Sequence, residues 1–262
     1  MSTSIDQAFI RQYEKDVHHI FQRQGGKLRP TVRMKTNIVG SSTTFQKIGT
    51  GIATTKARHA AITPMNQDHT PIECTLSNFY AGDWVDRLDE AKTNIDERLA
   101  IAKGGAWALG RKVDDQIITV LNTTTESTVS WTEASYASVR NSLLQMVEAL
   151  DDNDVPDDGM RFGLLTPRAW SFAMTVKEFA SADWVGASDL PYATSGFSQR
   201  FRSWMGVNWL RHTGLPGRGT ATAKVFAYHQ PAIGYGTGAH AGNIAEAEGV
   251  SADIMWYGDR AA

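Results

Sequence analysis

The chain has 262 residues, of which 42% are hydrophobic, with eight tryptophans and a formal net charge of −2. This composition is typical of a folded globular protein and excludes the collagen-like, low-complexity and disordered classes. The length suits one large domain or two modest ones. We find no run with the length and apolarity of a membrane span, and no secretory signal is visible at the N-terminus. A single cysteine, Cys74, excludes an internal disulfide framework and fits a reducing compartment.

The charge is distributed unevenly along the chain. Residues 1–60 hold ten Lys and Arg against three acids, a net of +7, whereas the remainder holds sixteen bases against twenty-five acids, a net of −9. A basic N-terminal segment predicts either a nucleic-acid-binding arm or an arm that lies across the acidic surface of a neighbouring copy. We favour the neighbouring copy, because the basic residues are interspersed rather than clustered.

Two segments precede residue 36, where the sequence begins to favour β-strands. Apolar residues recur at helical spacing from Ile5 to Phe21, and Gly25 and Gly26 follow as a stop signal, so the pattern predicts an N-terminal helix. The next residues, 27–35 (KLRPTVRMK), are basic and interrupted by proline. We interpret them as an extended connector.

Residues 36–80 are rich in Thr, Ile and Val, with glycine punctuation and no helical stripe. They predict a long, partly exposed β-hairpin whose polar tip lies between Gly40 and His59. The segment has too few large apolar side chains to form a core of its own. The hairpin must therefore pack against something else, and another subunit is one option.

A long helix is predicted over residues 83–122. Apolar residues recur there at steps of three, four or seven, and charged residues occupy the opposite face. Forty helical residues would extend about 60 Å, whereas globular helices average about 11–12 residues. We interpret this helix as a spine against which the rest of the chain is laid. Gly104 and Gly105 weaken its middle and predict a bend.

A second amphipathic helix and a buried strand follow the spine. Ser130 and Glu133 form a capping box ahead of the apolar stripe of residues 136–150. Arg161–Leu165 is predicted to be a buried strand. Thr166, followed by proline, then has the pattern of an N-cap that opens a short helix.

The last third of the chain predicts further strands. Residues 206–216 and 223–234 each indicate one strand, separated by a glycine-containing loop, and residues 243–259 indicate a closing strand or hairpin. The fold class is therefore α+β, with a long helix, an arm and hairpin, and a compact mixed sheet with flanking helices.

No pattern in the chain predicts catalysis or a bound metal or cofactor. The seven histidines show no zinc-binding spacing, and no GxSxG motif is present. The acidic cluster of residues 151–158 offers oxygen ligands for calcium, but Val155 and Pro156 interrupt it, which favours a solvated turn. Residues 234–242 are glycine-rich but lack the Lys-Ser/Thr of a phosphate loop, which also favours a turn. We expect a protein that is not an enzyme and has no cofactor.

Four passages stand out by their order along the chain. They are TFQKIGTG (residues 44–51), LSNFYAGDWVDRLDEAK (76–92) followed by AKGGAWALGRKVDDQIITVL, DVPDDGMRFGLLTPRAW (154–170), and EFASADWVGASDLPYATSGFSQRFRSWMGVNWLRHTGLP (178–216). In this order they resemble the major capsid (coat) proteins of tailed double-stranded DNA bacteriophages. The resemblance covers most of the chain from about residue 36 onward.

The resemblance implies the Hong Kong phage-type capsid fold, which encapsulin shells share. That fold is α+β and has an N-terminal arm, an extended β-hairpin loop, a peripheral domain with a long spine helix, an axial domain with a mixed sheet, and a return strand. In this chain the corresponding divisions are residues 1–35, 36–80, 81–128, 129–235 and 236–262.

The implied function is structural. The subunit would self-assemble as hexamers and pentamers into the icosahedral capsid that encloses the phage genome; an encapsulin-like compartment shell is the alternative. The implied partners are other copies of the chain, a separate scaffolding protein, a portal protein and packaged double-stranded DNA held by weak, non-specific contact. A decoration protein is an optional further partner, and no membrane contact is expected. The implied location is the virion capsid, assembled in the host cytoplasm.

The resemblance also directs attention to contacts between copies. Basic hairpin residues would meet acidic residues of a neighbour's spine, and the glycine pair would be a flex point where hexamer and pentamer copies differ in bend. The candidate contacts are Lys47, Lys56, Arg58, Asp86, Asp89, Glu90 and Asp96, and the candidate flex point is Gly104 and Gly105. Two other classes stay open: an enzyme with an unrecognised site, and a DNA-binding protein with a basic arm.

Overall fold

A computed structural model describes residues 22–23, 25–83, 97–124, 129, 131, 135–180, 202–220, 223–238 and 249–258. Within these ranges the chain forms ten strands and four α-helices, together with two 3-10 turns at Arg29–Thr31 and Gln230–Ala232. The strands are β1 (Arg33–Ile38), β2 (Ser42–Ile48), β3 (His69–Thr75), β4 (Ser77–Gly82), β5 (Arg161–Leu165), β6 (Arg202–Trp204), β7 (Val207–Arg211), β8 (Phe226–His229), β9 (Ile233–Gly238) and β10 (Gly249–Gly258). The helices are α1 (Glu97–Thr123), α2 (Tyr136–Asp152), α3 (Pro167–Ala173) and α4 (Lys177–Ala180).

The strands form two four-stranded sheets and one hairpin. Sheet I has the order β1-β9-β10-β4, with β1 parallel to β9 and the other pairs antiparallel. Sheet II has the order β6-β7-β5-β8, in which only β5 and β7 are parallel. The hairpin consists of β2 and β3, which pair with no other strand of the described residues. Sheet I therefore gathers strands from the beginning, the first third and the end of the chain.

Successive residues of each strand point to opposite faces of sheet II. A separate hydrophobic core covers each face. On one face, Leu164 of β5 and Tyr228 of β8 join the core that includes α1. On the other, Leu165 and Trp209 join the core formed with α2 and α3. Burial on both faces explains why β5 reads as a continuous apolar run, as parallel strands covered on both sides do. The predicted buried strand is confirmed.

Helix α1 differs from the prediction in its described extent and in its buried face. Its described part has 27 residues, which is about 40 Å; residue 83 is not helical, and residues 84–96 lie outside the described residues. Leu109 and Ile117 of the predicted stripe are buried, but Ala102 and Ala106 are exposed. The second half of α1 instead buries a broad face against sheet II, strand β9 and residues 28–32, while positions 112, 115, 119 and 122 form an exposed stripe.

The prediction of an extended connector at residues 27–35 is wrong. Leu28 and Thr31 are fully buried, a 3-10 turn covers Arg29–Thr31, and Arg33 already begins β1. Pro30 at the start of the turn is compatible with 3-10 geometry, since its fixed φ and missing N–H are tolerated there. The N-terminal helix predicted over residues 5–21 lies outside the described residues.

The hairpin prediction is confirmed, but its tip lies further along the chain than expected. β2 and β3 pair antiparallel from Ser42↔Thr75 to Ile48↔His69, so the loop covers residues 49–68. Residues 33–38, which overlap the start of the predicted hairpin segment, pair with β9 instead. The expected tip between Gly40 and His59 is therefore only partly correct.

The local signals around α2 and α3 are mostly confirmed. Thr166 is the N-cap of α3, its hydroxyl oxygen accepts the Ala169 N–H at 3.1 Å, and proline occupies the first helical position. Helix α2 begins after Ser135, which forms a capping box with Ser138. The predicted box at residues 130 and 133 lies outside the described residues.

The predicted strand at residues 223–234 is two strands in different sheets. β8 ends at His229, a 3-10 turn containing Pro231 follows, and β9 begins at Ile233 in sheet I. Proline has no N–H to continue a ladder, which accounts for the break. Residues 234–238, expected to form a turn, belong to β9. The closing strand predicted near the end of the chain is β10. Among the described residues we find no helix that combines the length and apolarity of a bilayer span.

Candidate subunit interface

The aromatic side chain of Phe45 packs the hairpin against sheet I. Phe45 of β2 is 4% exposed and forms a small cluster with Ile38 and Cys74. Its ring lies on the backbone of β9 at Gly234, where an added Cβ atom would be 2.9 Å from Phe45 Cε2. Glycine is thus needed at position 234 so that the ring can sit against the strand.

Cations surround the same ring. The Arg33 guanidinium carbon is 5.2 Å from the Phe45 ring centroid and the Lys35 ammonium is 5.9 Å from it, both within cation–π range. A cavity of about 110 Å³ lies between β1, the hairpin and Pro231, and Lys47 lines it. In β2 the buried positions are 43 and 45, so Lys47 continues this inner face and is only half-exposed. Lys47 therefore lies next to the loop but belongs to the paired, docked part of the hairpin, here called its base, rather than to the exposed tip.

The hairpin tip is exposed throughout. Every residue from 50 to 71 is exposed, including the candidate contact residues Lys56 and Arg58. Large apolar side chains accompany them: Ile52 is 80% exposed, Ile62 is 77% exposed and Met65 is 53% exposed. Several exposed apolar side chains on one loop indicate an interaction surface.

Cys74 lies beneath the hairpin and is 1% exposed. Burial disfavours the thiolate and raises the pKa of Cys74 to about 11, although the nearby charge of Lys35 opposes the shift. A thiol with so high a pKa is a poor nucleophile at neutral pH. Cys74 is thus a small buried hydrophobe in strand β3.

The glycine pair of α1 has two different environments. The helix is continuous through both residues. A Cβ atom on Gly104 would meet no described atom within 4 Å, whereas one on Gly105 would be 3.3 Å from the Ala81 carbonyl oxygen of β4. Gly105 therefore allows β4 to approach α1 closely. The predicted acidic partners, Asp86, Asp89, Glu90 and Asp96, lie outside the described residues.

The acidic cluster of residues 151–158 forms a turn held by two basic side chains. The buried Arg161 donates to Asp151 Oδ1 at 2.7 Å and also to backbone carbonyls of the turn. His229 Nε2 lies 3.0 Å from Asp158 Oδ1, and this hydrogen bond holds the pKa of Asp158 below its usual value. Within the described ranges, no group of three or more His, Cys, Asp or Glu is placed to hold a metal ion.

One polar group in the core was not identified from the sequence. Asp114 of α1 and His212, which follows β7, are both fully buried and lie 3.3 Å apart. The Asp114 carboxylate also accepts the N–H groups of Lys27 at 3.3 Å and Leu28 at 3.1 Å. The available signal was an acid within an otherwise apolar helix face, since a buried charge must find donors.

Two findings place this architecture among known proteins. The first is its fold, which is that of tailed-phage capsid subunits. The chain is similar to the capsid structure of cyanophage P-SCSP1u (TM-score 0.64, 15% identity, 98% of this chain and 90% of that chain covered). It is also similar to Mycobacterium phage Che8 (0.65, 16%, 96% and 93%) and to the capsid of a native GTA particle (0.67, 13%, 98% and 93%).

The second finding is a family match. The model of the phage capsid protein family matches residues 5–248. The chain therefore belongs to the phage capsid protein family, which confirms the resemblance read from the sequence. It is a structural subunit of a virion capsid shell and associates with copies of itself; the encapsulin-like alternative is not favoured. No curated protein matches the chain.

Proposed function

We propose that this chain assembles as hexamers and pentamers into an icosahedral shell around the double-stranded DNA genome of a tailed phage. The observation that carries the proposal is the hairpin tip, where Ile52 and Ile62 are about four-fifths exposed. Within the described part of a single subunit, no element covers these side chains. A neighbouring copy would supply the missing surface, as expected for a repeated heterologous contact that closes into a shell.

Apolar burial would supply most of the affinity of this contact. Covering one isoleucine side chain fully is worth about 1.5–3 kcal/mol, whereas an exposed ion pair is worth about 0–1 kcal/mol. The proposed pairs join Lys56 and Arg58 to a neighbour's acids. These acids are Asp86, Asp89, Glu90 and Asp96. The charges would mainly set the register of the contact, and repetition over many copies would add to their effect.

Gly104 is the proposed flex point of α1. No described atom restricts it, whereas Gly105 is held against β4. Bending would therefore centre on Gly104 and leave the contact at Gly105 in place. High-resolution maps of the shell test this directly: copies in hexamers and pentamers should differ in helix curvature at residue 104, and identical curvature in all copies would refute the flex point.

The remaining partners are also proposals. A separate scaffolding protein would guide assembly, a portal protein would occupy one vertex, and DNA would be contacted weakly and non-specifically. A decoration protein is an optional addition to the outer surface. We propose assembly in the host cytoplasm, no catalytic role, and the domain divisions at residues 35, 80, 128 and 235.

Electron microscopy of the expressed chain, with and without its scaffolding protein, tests the proposal. Capsomers or closed shells are the expected particles. A single sharp monomer peak in light scattering at high concentration, under both conditions, would contradict it. Shells isolated from infected cells should contain DNA; shells that contain a cargo enzyme in its place would support a compartment.

Surface variants test the hairpin contact. Ile52→Ser with Ile62→Ser should reduce assembly more than Lys56→Glu with Arg58→Glu, because apolar burial is the larger contribution. Lys177→Glu with Arg218→Glu is a matched control, since both residues are exposed and lie outside the hairpin. Soluble subunits should keep wild-type circular dichroism in every case. Assembly that is unchanged in both hairpin variants would refute the contact.

A further inference from the structure

Residues 22–23 and 25–32 belong to a segment, here called the strap, that crosses α1. The Gly26 N–H donates to the Gly110 carbonyl oxygen at 3.0 Å. At this crossing a Cβ atom on Gly25 would lie 1.8 Å from the Gly110 carbonyl carbon. The strap and the helix therefore meet backbone against backbone, and a side chain at Gly25 would have no space.

The outer side of the crossing carries partly exposed polar contacts, in which Gln22 and Asp115 face water and Arg23 is mostly buried. Arg111 Nη1 donates to Gln22 Oε1 at 2.6 Å and to the Arg23 carbonyl oxygen at 3.2 Å, and Arg23 pairs with Asp115. Asp115 is half-exposed. Water competes for these groups, so their loss should affect the strap only slightly.

The buried carboxylate of Asp114 lies on the inner side of the crossing. It receives three N–H groups, two from the strap backbone and one from His212. The Gly214 N–H donates to His212 Nδ1 at 3.1 Å, so the imidazole proton is on Nε2 and is donated to Asp114. One carboxylate thus joins the strap, α1 and the segment that follows β7 of sheet II.

The far end of the strap is joined to sheet II by hydroxyl groups. Thr31 Oγ1 donates to the Leu28 carbonyl at 2.7 Å and accepts the Tyr228 hydroxyl at 2.6 Å. Burial raises the pKa of Tyr228 far above its ordinary value, so this hydroxyl keeps its proton and donates. Leu28 and Val32 pack in the same core as α1 and sheet II.

We propose that Asp114 is a positioning residue for assembly, whose carboxylate locks the strap so that α1 and sheet II move as one unit. The strap leads directly into β1 and so into sheet I, and residues 1–21 precede it in the chain. A locked strap gives every copy the same starting geometry for its contacts with neighbours. The assembly part of this inference rests on the proposed function, whereas the lock itself does not.

Asparagine at position 114 would fail as a lock for a defined reason. It keeps the shape of the side chain but offers one acceptor oxygen to three converging donors, and its NH₂ group would face at least one of them. An unsatisfied buried donor favours opening to water. Asp115→Asn is the matched control, because it changes the adjacent carboxylate on the exposed side of the same crossing.

Hydrogen exchange with residue-level mass spectrometry on the full chain measures strap opening. In Asp114→Asn, exchange at Lys27 and Leu28 should rise by about 10- to 100-fold. Exchange at Gly26 and Thr31, which do not bond to Asp114, should rise by a similar factor, because the strap opens as a unit. In Asp115→Asn all four rates should stay within about threefold of wild type.

The outcomes distinguish a carboxylate that holds the whole strap closed from one that only accepts two local hydrogen bonds. Faster exchange confined to Lys27 and Leu28 would show that Asp114 satisfies two amides and nothing more, and would overturn the lock. If Asp114→Asn fails to fold, Thr31→Val is the second variant: it removes the hydroxyl that joins Leu28 to Tyr228 with little change of shape. It should also raise exchange at Gly26, and an unchanged rate there would equally overturn the lock.

Particle size tests the positioning role. Shells of wild-type and Asp115→Asn protein should have one narrow diameter distribution in cryo-electron microscopy, whereas Asp114→Asn should give broadened diameters or a lower yield. An open strap with a normal size distribution would overturn the positioning role. If the wild-type chain forms no shells at all, the proposed function fails, yet the exchange experiment still decides the lock.

Discussion

Replacing Phe45 by alanine should undock the hairpin from sheet I. Truncating a buried phenylalanine costs about 3–5 kcal/mol. Phe45 is 4% exposed, but its cluster is small and borders a cavity of about 110 Å³. The lower end of the range therefore applies, since the site can partly collapse or admit water. A cost of about 3 kcal/mol corresponds to an increase of about 100-fold in the population of the undocked form.

Cys74 provides the assay for this prediction. It is the only cysteine in the chain, it belongs to the same cluster as Phe45, and it is 1% exposed while the hairpin is docked. A thiol reagent can label it only after the hairpin opens, so the labelling rate follows the population of the open form when opening and closing are fast. Phe45→Ala should therefore be labelled about 100 times faster than wild type.

Thr44→Ala is the matched control, because Thr44 is the exposed neighbour of Phe45 on the same strand. Its labelling rate should stay within about threefold of wild type. If Phe45→Ala is labelled no faster than Thr44→Ala, the aromatic ring does not hold the hairpin and the reasoning fails. Labelling that accelerates only together with loss of the circular dichroism signal would show global unfolding rather than undocking.

Three further predictions concern stability. Folding raises the pKa of the Cys74 thiol from 9.0 to about 11. Its contribution to stability is therefore complete below pH 9 and is lost as the pH rises toward 11. Between these pH values the melting temperature of Cys74→Ser should fall less than that of the wild type. Thr166→Ala removes an N-cap worth about 1 kcal/mol and should lower the melting temperature by about 2–4 °C in calorimetry. Gly163→Ala places a methyl group 2.3 Å from Cε3 of the fully buried Trp209 and should cost more than the Thr166 change; an unchanged melting temperature in either variant contradicts these arguments.

Elements that depend on local signals were predictable from the sequence. The strand β5 and the N-cap Thr166 were placed correctly because apolar continuity and capping chemistry act over a few residues. The β2–β3 hairpin was also predicted, since β-branched residues and glycine punctuation mark it. Its register was not, because the segment is too polar for alternation to fix which residues pair.

Elements that depend on distant contacts were not predictable. The basic, proline-interrupted residues 27–35 have no strong local pattern. They became a buried turn and a strand only because β9, α1 and sheet II lie beside them. Likewise, the break between β8 and β9 follows from Pro231 together with the position of sheet I. In each case tertiary packing overrides weak local preference.

The candidate interface divides into a base and a tip, and energetics separates their roles. If the wild-type hairpin is docked in more than about 99.99% of molecules, a 100-fold rise in the undocked form still leaves about 99% competent. Phe45→Ala would then be labelled much faster at Cys74 and yet would assemble almost normally. The tip variant with Ile52→Ser and Ile62→Ser should behave in the opposite way, because these exposed side chains do not hold the hairpin down. Both variants failing to assemble would show that wild-type docking is itself marginal, and that neighbouring copies complete it.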